Sequence, residues 1–419
     1  MNFVRFVVLY FITFSFINAS ICNLESSKGY ISGDLDFIPD DAKKSVAMVS
    51  SEIYAKTKFR IFIHIVRDVN DTKTLEGGAS GLGEDSKNNQ NTESKDKNTK
   101  NITKNFCYDF THQLSPIATF IHKYDLAFYN QETILGGKEM GLSSYPNFNS
   151  PQEFGDNMLK IGFNLISLAN NHTLDRGEKA ILESIKYWKN KKNILPNILT
   201  SGSFDSFDSR NKIEILKKNG ISYTMLAYTY GTNGIAIPAG KEYLVNVYTK
   251  EMLKKDIEAA RNKVDLLIVS MHWGVEYTFT PTQEQEELAR FLSDLGVDIV
   301  IGNHPHVVQP VEIINDTLVI YSLGNMISAQ IGEEKKVGAF VSVNVSKDSK
   351  KSARKVAISD ISVDLVYTYH NDKKEDFRIY PFIFLNDTIL PNYKKIYEKY
   401  LLILTSRDSQ NQIKVGIFK

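Results

Sequence analysis

Short apolar runs that end abruptly in amides, acids or histidines constrain this chain more than any other feature. "YDLAFYN" (124–130), "FNLISLA" (163–169), "ISYTMLAY" (221–228), "VDLLIVSM" (264–271), "VDIVIG" (297–302) and "TLVIYSLG" (317–324) read as strands. Between them, "GEKAILESIKYWKNK", "KEMLKKDIEAARNK" and "EQEELARFLSDLG" carry helical periodicity. Alternation of this kind predicts an α/β layered fold. Nearly continuous apolar strands further predict sheets covered on both faces. In such sheets ligands gather beyond the carboxyl ends of the strands, so the residues that follow each strand are the candidate site.

Those residues are unusual as a set. "YDLAFYN" runs into Gln131 and Glu132, "FNLISLA" into Asn170, Asn171 and His172, "VDLLIVSM" into His272, and "VDIVIG" into Asn303, His304, Pro305 and His306. The chain has eight histidines, and four of them sit at three strand ends. A lone strand-end histidine is usually a hydrogen-bonded structural residue; four, with an acid and an amide, predict a metal site. Neutral imidazole with carboxylate and amide oxygen suits Mn, Fe or Zn better than Mg or Ca. Two such ions with a shared water would supply a nucleophile for a phosphoryl or carbonyl centre.

Lys+Arg 50 against Asp+Glu 49 gives a net charge of +1, so no global field recruits nucleic acid. At the N-terminus Arg5 precedes an apolar run from Phe6 to Ile17, which predicts an export signal spanning residues 1–19, with cleavage near Ala19. The run falls short of the roughly 20 residues of a membrane-spanning helix. Acylation at Cys22 is the less favoured alternative, because Ile21 stands where a small residue is wanted. Cys22 and Cys107 are able to pair if both remain in an oxidising compartment. Residues 20–72 read as an N-terminal α/β segment and 73–105, rich in Gly, Ser, Asn, Lys and Glu, as a flexible linker. Residues 106–345 read as the main domain and 346–419 as a C-terminal extension.

Five ordered motifs carry a family resemblance: "YDFTHQLSPIATFIHKYDLAFYNQE", "YPNFNSPQEFGDNMLKIGFNLISLANNHTLDRG", "MHWGVEY", "GNHPHVVQPVE" and "YSLGNMIS". Together they resemble the CapA-type poly-γ-glutamate capsule synthesis family, a branch related to the calcineurin-like metallophosphatases. The resemblance implies a four-layer sandwich of two mixed β-sheets flanked by helices, with a two-metal centre. It also implies a cell-surface role with an anionic polymer or phosphoester as substrate and capsule-synthesis membrane proteins as partners. It maps Glu132, Asn171, His172, His272, His304 and His306 onto metal-site positions, with His304 and His306 as the residues expected to carry catalysis. The first ligand of that family is an aspartate after an opening strand. Asp68, after "FRIFIHIVR", is preferred; Asp34, in "YISGD", and no aspartate at all are the alternatives.

Three weaker expectations accompany these. Trp273 is a candidate stacking surface for substrate or a packing residue. Asp175 is a candidate partner for the His172 ring or a helix cap. Arg176 is a candidate anion binder or a solvated charge. The functional alternatives are a metal-dependent hydrolase using an activated water, a polymer-handling scaffold that does not cut, and a secreted phosphoesterase.

Overall fold

The computed structural model describes residues 107–347 and 356–418, together with the backbone of the strand segments 3–9, 19–20, 31–32 and 63–64. Residues 1–20 and 107–419 form one compact unit and residues 21–106 another. The described part of the latter is a two-residue parallel pairing of Ile31–Ser32 with Ile63–His64. The expected linker, Asp34, Asp68 and Cys22 lie outside the described residues, as does the side chain of Cys107.

The larger unit is built on two mixed sheets. The first contains β1 (Phe3–Leu9), β2 (Leu126–Asn130), β3 (Leu165–Ser167) and β4 (Leu199–Ser201), all parallel. The second contains β5 (Leu216–Lys218), β6 (Ile221–Thr229), β7 (Leu266–His272), β8 (Ile299–Asn303), β9 (Val311–Ile314) and β10 (Thr317–Ile320). In it β6, β7, β8 and β10 are parallel, and β5 and β9 are antiparallel edges. The chain then returns to the first sheet through β11 (Val337–Lys347), β12 (Val356–Tyr369), β13 (Arg378–Pro381) and β14 (Lys414–Val415). The strand orders are β13-β12-β11-β1-β2-β3-β4, with β14 beside β12, and β9-β10-β8-β7-β6-β5. Residues beyond 345 thus supply strands of the same sheet that holds β2 and β3. β1, inside the segment expected to carry the export signal, lies between β11 and β2.

Side-chain alternation explains why the strands read as unbroken apolar runs. In β2, Leu126 and Phe128 enter the core between the sheets, where they join Ile268 of β7 and Ile299 and Ile301 of β8. The intervening Ala127 and Tyr129 pack outward under α1 (Thr111–Ile121) and α2 (Glu153–Lys160). The second sheet repeats the pattern: Leu267, Val269, Met271 and Val300 face α4 (Lys250–Arg261) and α5 (Gln283–Asp294). On the first sheet α3 (Gly177–Ile194) buries Ala180, Ile181, Ser184, Ile185 and Trp188 along one stripe. The result is the four-layer sandwich, helices–sheet–sheet–helices, that the family resemblance implied, with α6 (Tyr393–Thr405) packed against the inter-sheet core through Ile396, Tyr400 and Leu404.

Register then aligns the strand ends. Asn130 of β2 pairs with Ser167 of β3, while His272 of β7 pairs with Thr229 of β6 and Asn303 of β8. One glycine in β8 is sterically obligatory: a Cβ on Gly302 would stand 1.9 Å from the Tyr321 carbonyl oxygen and 2.5 Å from Trp273 Nε1. Gly302→Ala should therefore lower stability by about 3 kcal/mol or more, since backbone on one side and a fully buried indole on the other cannot retreat. Gly231→Ala, whose new methyl meets nothing within 4 Å, should leave the urea midpoint unchanged. Equal midpoints for the two variants would mean that β8 shifts freely, contrary to this packing.

Candidate metal centre

Each strand end delivers its polar residue to the same margin. After β2, Glu132 is fully buried and its Oε2 accepts from Asn130 Nδ2 at 3.0 Å. After β3 the chain turns through Asn170–Thr173. Asn170 fixes that turn: its Nδ2 donates to the Gln131 carbonyl at 2.9 Å and its Oδ1 accepts from His172 N at 3.0 Å. Asn171 is thereby directed across the sheets, with its Oδ1 at 2.9 Å from His272 Nε2 and its Nδ2 donating to Asn233 Oδ1 at 3.1 Å. Glu132 Oε1 lies 3.8 Å from the same His272 nitrogen.

His304 and His306 follow β8 on strained backbone, with φ of +101° and +59°. Non-glycine residues rarely adopt such angles, and they are held here by neighbours: Trp273 N donates to the Asn303 carbonyl at 3.1 Å and Tyr277 N to the Pro305 carbonyl at 2.7 Å. The His272 and His304 rings stand 4.9 Å apart between centroids, and those of His304 and His306 5.9 Å. Glu276 approaches His306 Nε2 at 3.8 Å, and Glu276, His304 and His306 offer ligand atoms all within 4.8 Å of one another. The donors thus fall into two neighbouring groups, His272–Asn171–Glu132 and Glu276–His304–His306.

Burial tunes these imidazoles for ligation. Desolvation holds His272 well below its usual pKa, reinforced by His304, His306 and His172. His304 is lowered to about 4 by burial and then by His172. His306 is lowered by burial and by His304, with His172 and Lys335 adding to the effect and the Asn325 hydrogen bond opposing it. Neutral imidazole is the ligating form, so this donor set, with two carboxylates and an amide oxygen, fits a divalent transition ion. His172 Nδ1–H donates to Asp175 Oδ2 at 2.7 Å, which leaves Nε2 as its ligating nitrogen. Tyr230 lies parallel to His272 and 4.8 Å from the His304 ring, closing one side.

The structure thus brings together Glu132, Asn171, His172, His272, His304 and His306. Asp175 orients the His172 ring and also accepts from Phe148 N at 2.8 Å; α3 has no side-chain cap. Trp273 is a packing residue, fully buried, with Nε1 donating to the Tyr321 carbonyl at 3.0 Å. Arg176 is a structural tie, donating to the carbonyls of Met140 and Gly141 and to Ser143 Oγ. Glu276 was absent from the sequence reading although it sits in the quoted "MHWGVEY" motif, four residues after His272. Tyr230, Asn233 and Asn325 were also missed; Asn325 sits in the quoted "YSLGNMIS" motif, whereas Tyr230 and Asn233 come from a loop whose sequence carries no metal signal.

The profile of the family "Bacterial capsule synthesis protein PGA_cap" matches residues 78–330. The PGA biosynthesis protein CapA of Bacillus subtilis (strain 168) is 32% identical over 195 residues, 45% of this chain and 48% of that protein. The capsule biosynthesis protein CapA of Bacillus anthracis is 32% identical over 184 residues, 43% of this chain and 44% of that protein. The chain therefore spans about half the length of the curated relatives it matches. Among solved structures, a putative 5'-nucleotidase from Staphylococcus aureus in complex with alpha-ketoglutarate aligns at TM-score 0.40 and 16% identity, covering 69% of this chain and 52% of that one. A 5'-nucleotidase from Candida albicans SC5314 aligns at 0.35 and 14%, covering 70% and 52%.

A pH dependence follows from the depressed histidines. As pH falls through about 6.5 the unfolded chain takes up protons that the folded site refuses, so metal-free protein loses stability from there down to the folded pKa values. For His304, whose folded value is about 4, the loss by that pH is on the order of 3 kcal/mol. Urea titrations in chelator at pH 7 and pH 4.5 should show a smaller loss for His304→Asn than for wild type. Parallel losses would mean that His304 is charged in the folded protein.

Proposed function

This chain belongs to the bacterial capsule synthesis protein PGA_cap family, and from that premise and the strand-end donors we propose an exported, metal-dependent hydrolase acting on an anionic polymer or phosphoester in capsule assembly. The observation that carries the reading is the convergence of four imidazoles, Glu132, Glu276 and Asn171 from both sheets on one margin. His272, Asn171 and Glu132 would hold one divalent ion of Mn, Fe or Zn, and Glu276, His304 and His306 a second, with His172 beside them. When bound, such ions supply Lewis acidity toward a phosphoryl or carbonyl oxygen and lower the pKa of water. Capsule-synthesis membrane proteins are the partners this reading implies.

The chain's own residues prepare that chemistry. Burial keeps the imidazole lone pairs available at neutral pH, and Asp175 selects the His172 tautomer. Asn233 holds the Asn171 amide so that its oxygen, not its nitrogen, faces His272. Tyr230 packs its ring against those of His272 and His304. A surface for docking alone needs none of this matching of tautomer, amide orientation and charge, which favours hydrolysis over passive holding.

The test is turnover of poly-γ-glutamate and a panel of phosphoesters by metal-loaded protein, with elemental analysis and polymer binding measured alongside. Wild type should carry close to two ions, and His304→Ala should lose turnover by about a hundredfold or more while binding of the polymer persists. Full metal content and intact binding with no turnover of any substrate would leave a scaffold in its place.

Export is proposed from Arg5 and the apolar run after it. Mass spectrometry of protein recovered from its native host should find a start just beyond residue 19. A chain beginning at Met1 would instead keep Phe3–Leu9 in its place between β2 and β11 and retire the export reading.

A further inference from the structure

We infer that Lys335 is a specificity residue that binds an anionic group of the substrate beside the His306 end of the centre, and that Tyr277 positions it. The inference rests on the proposed site and extends it to a residue outside the quoted motifs and the proposed metal ligands.

A closed ring of contacts around His306 carries it. The His306 Nδ1–H donates to Asn325 Oδ1 at 3.3 Å, and Asn325 Nδ2 donates to the Lys335 carbonyl at 2.9 Å and to Gln330 Oε1 at 3.0 Å. Gln330 Nε2 in turn donates to the Tyr277 hydroxyl at 3.3 Å. The Tyr277 ring closes the circuit: its centroid is 5.7 Å from that of His306 and 4.5 Å from Lys335 Nζ. One network therefore fixes the outer side of His306 and the position of the ammonium group.

Two features mark this as a built site. Tyr277 has φ of +62°, an uncommon conformation for an aromatic residue, and its backbone is held there by the Pro305 carbonyl. Strain maintained beside the histidine pair calls for something that the relaxed loop would not provide, and here that is a ring seated against both Lys335 and His306. Lys335 itself is placed to act: its side chain keeps 23% of its surface exposed, and Glu334 approaches Nζ only at 3.7 Å, beyond hydrogen-bond length. An ammonium group held by an ion pair longer than a hydrogen bond and by a ring face retains N–H donors for an incoming oxyanion. Glu276, with its side chain 41% exposed, stands 3.8 Å from His306 Nε2 and Glu334 lies beside the ammonium, so Lys335 supplies the positive charge at this edge of the centre. A carboxylate or phosphate oxygen is the matching ligand.

Calorimetry on the full chain, with and without added Mn²⁺, reads this directly, using inorganic phosphate and a γ-linked glutamate trimer as separate probes. Lys335→Met should weaken the probe that wild type binds by about tenfold to a hundredfold, as expected for loss of one charge-assisted hydrogen bond. Lys335→Arg should restore it to within about threefold, and Tyr277→Leu should weaken it with Lys335 still present. The probe that responds tells phosphate from carboxylate recognition. Binding unchanged in Lys335→Met, no binding of either probe by wild type, or a loss in Lys335→Met that arginine does not rescue would each overturn the inference. Because binding is read apart from turnover, a protein that hydrolyses nothing yet loses its probe in Lys335→Met would retire the hydrolase and keep Lys335. Turnover with the same KM in wild type and Lys335→Met would do the reverse.

Discussion

Everything at the centre depends on parallel register. Because β2 and β3 run alongside each other in one sheet and β6, β7 and β8 in the other, their carboxyl ends leave the core at a shared margin. Sheets covered on both faces demand apolar residues along the whole strand, and the first positions freed from that demand are those just past the end. Polar groups placed there are still deeply buried, as Glu132 and His272 are, and must find partners. They find one another: Asn130 serves Glu132, Asn171 meets His272, and Asp175 meets His172. The same desolvation that makes these groups costly as ions keeps the imidazoles neutral.

Backbone strain is the second constraint, and three residues carry it at the centre. His304, His306 and Tyr277 all have positive φ, and carbonyls of the β8 exit loop hold Trp273 and Tyr277 in turn. The loops after β7 and β8 thus fix each other, which keeps the histidine pair and its flanking aromatic ring in one arrangement rather than several. Gly302 belongs to the same device, since a strand with a side chain there could not pass between Trp273 and the Tyr321 carbonyl.

Much of this was legible in the sequence, for a physical reason: strands buried on both faces announce themselves as apolar runs, and their ends announce themselves by the break. Glu132, Asn171, His172, His272, His304 and His306 were found that way. What stayed open or went unread shows where that signal stops. Trp273 stands beside a ligand, but the slot that swallows it exists only because Gly302, on the neighbouring strand, has no side chain. Arg176 looked free because the carbonyls that occupy it, Met140 and Gly141, belong to a loop more than thirty residues away. Glu276 and Lys335 gain their places from tertiary contacts across loops, and no periodicity marks a residue that becomes useful only when another segment arrives.

The two halves of the centre also differ in when they can exist. The second sheet is continuous in sequence, from Leu216 to Ile320, whereas the first is assembled from strands before and after it. Glu276, His304 and His306 therefore all come from a stretch that can fold soon after it is made, while Glu132 and Asn171 join His272 only once the sheets close on each other. Contacts between distant parts of a chain form late because loop closure must precede them. Assembly of the cleft is thus ordered in time: one half is a local product of the second sheet, and the other certifies that the whole sandwich has formed.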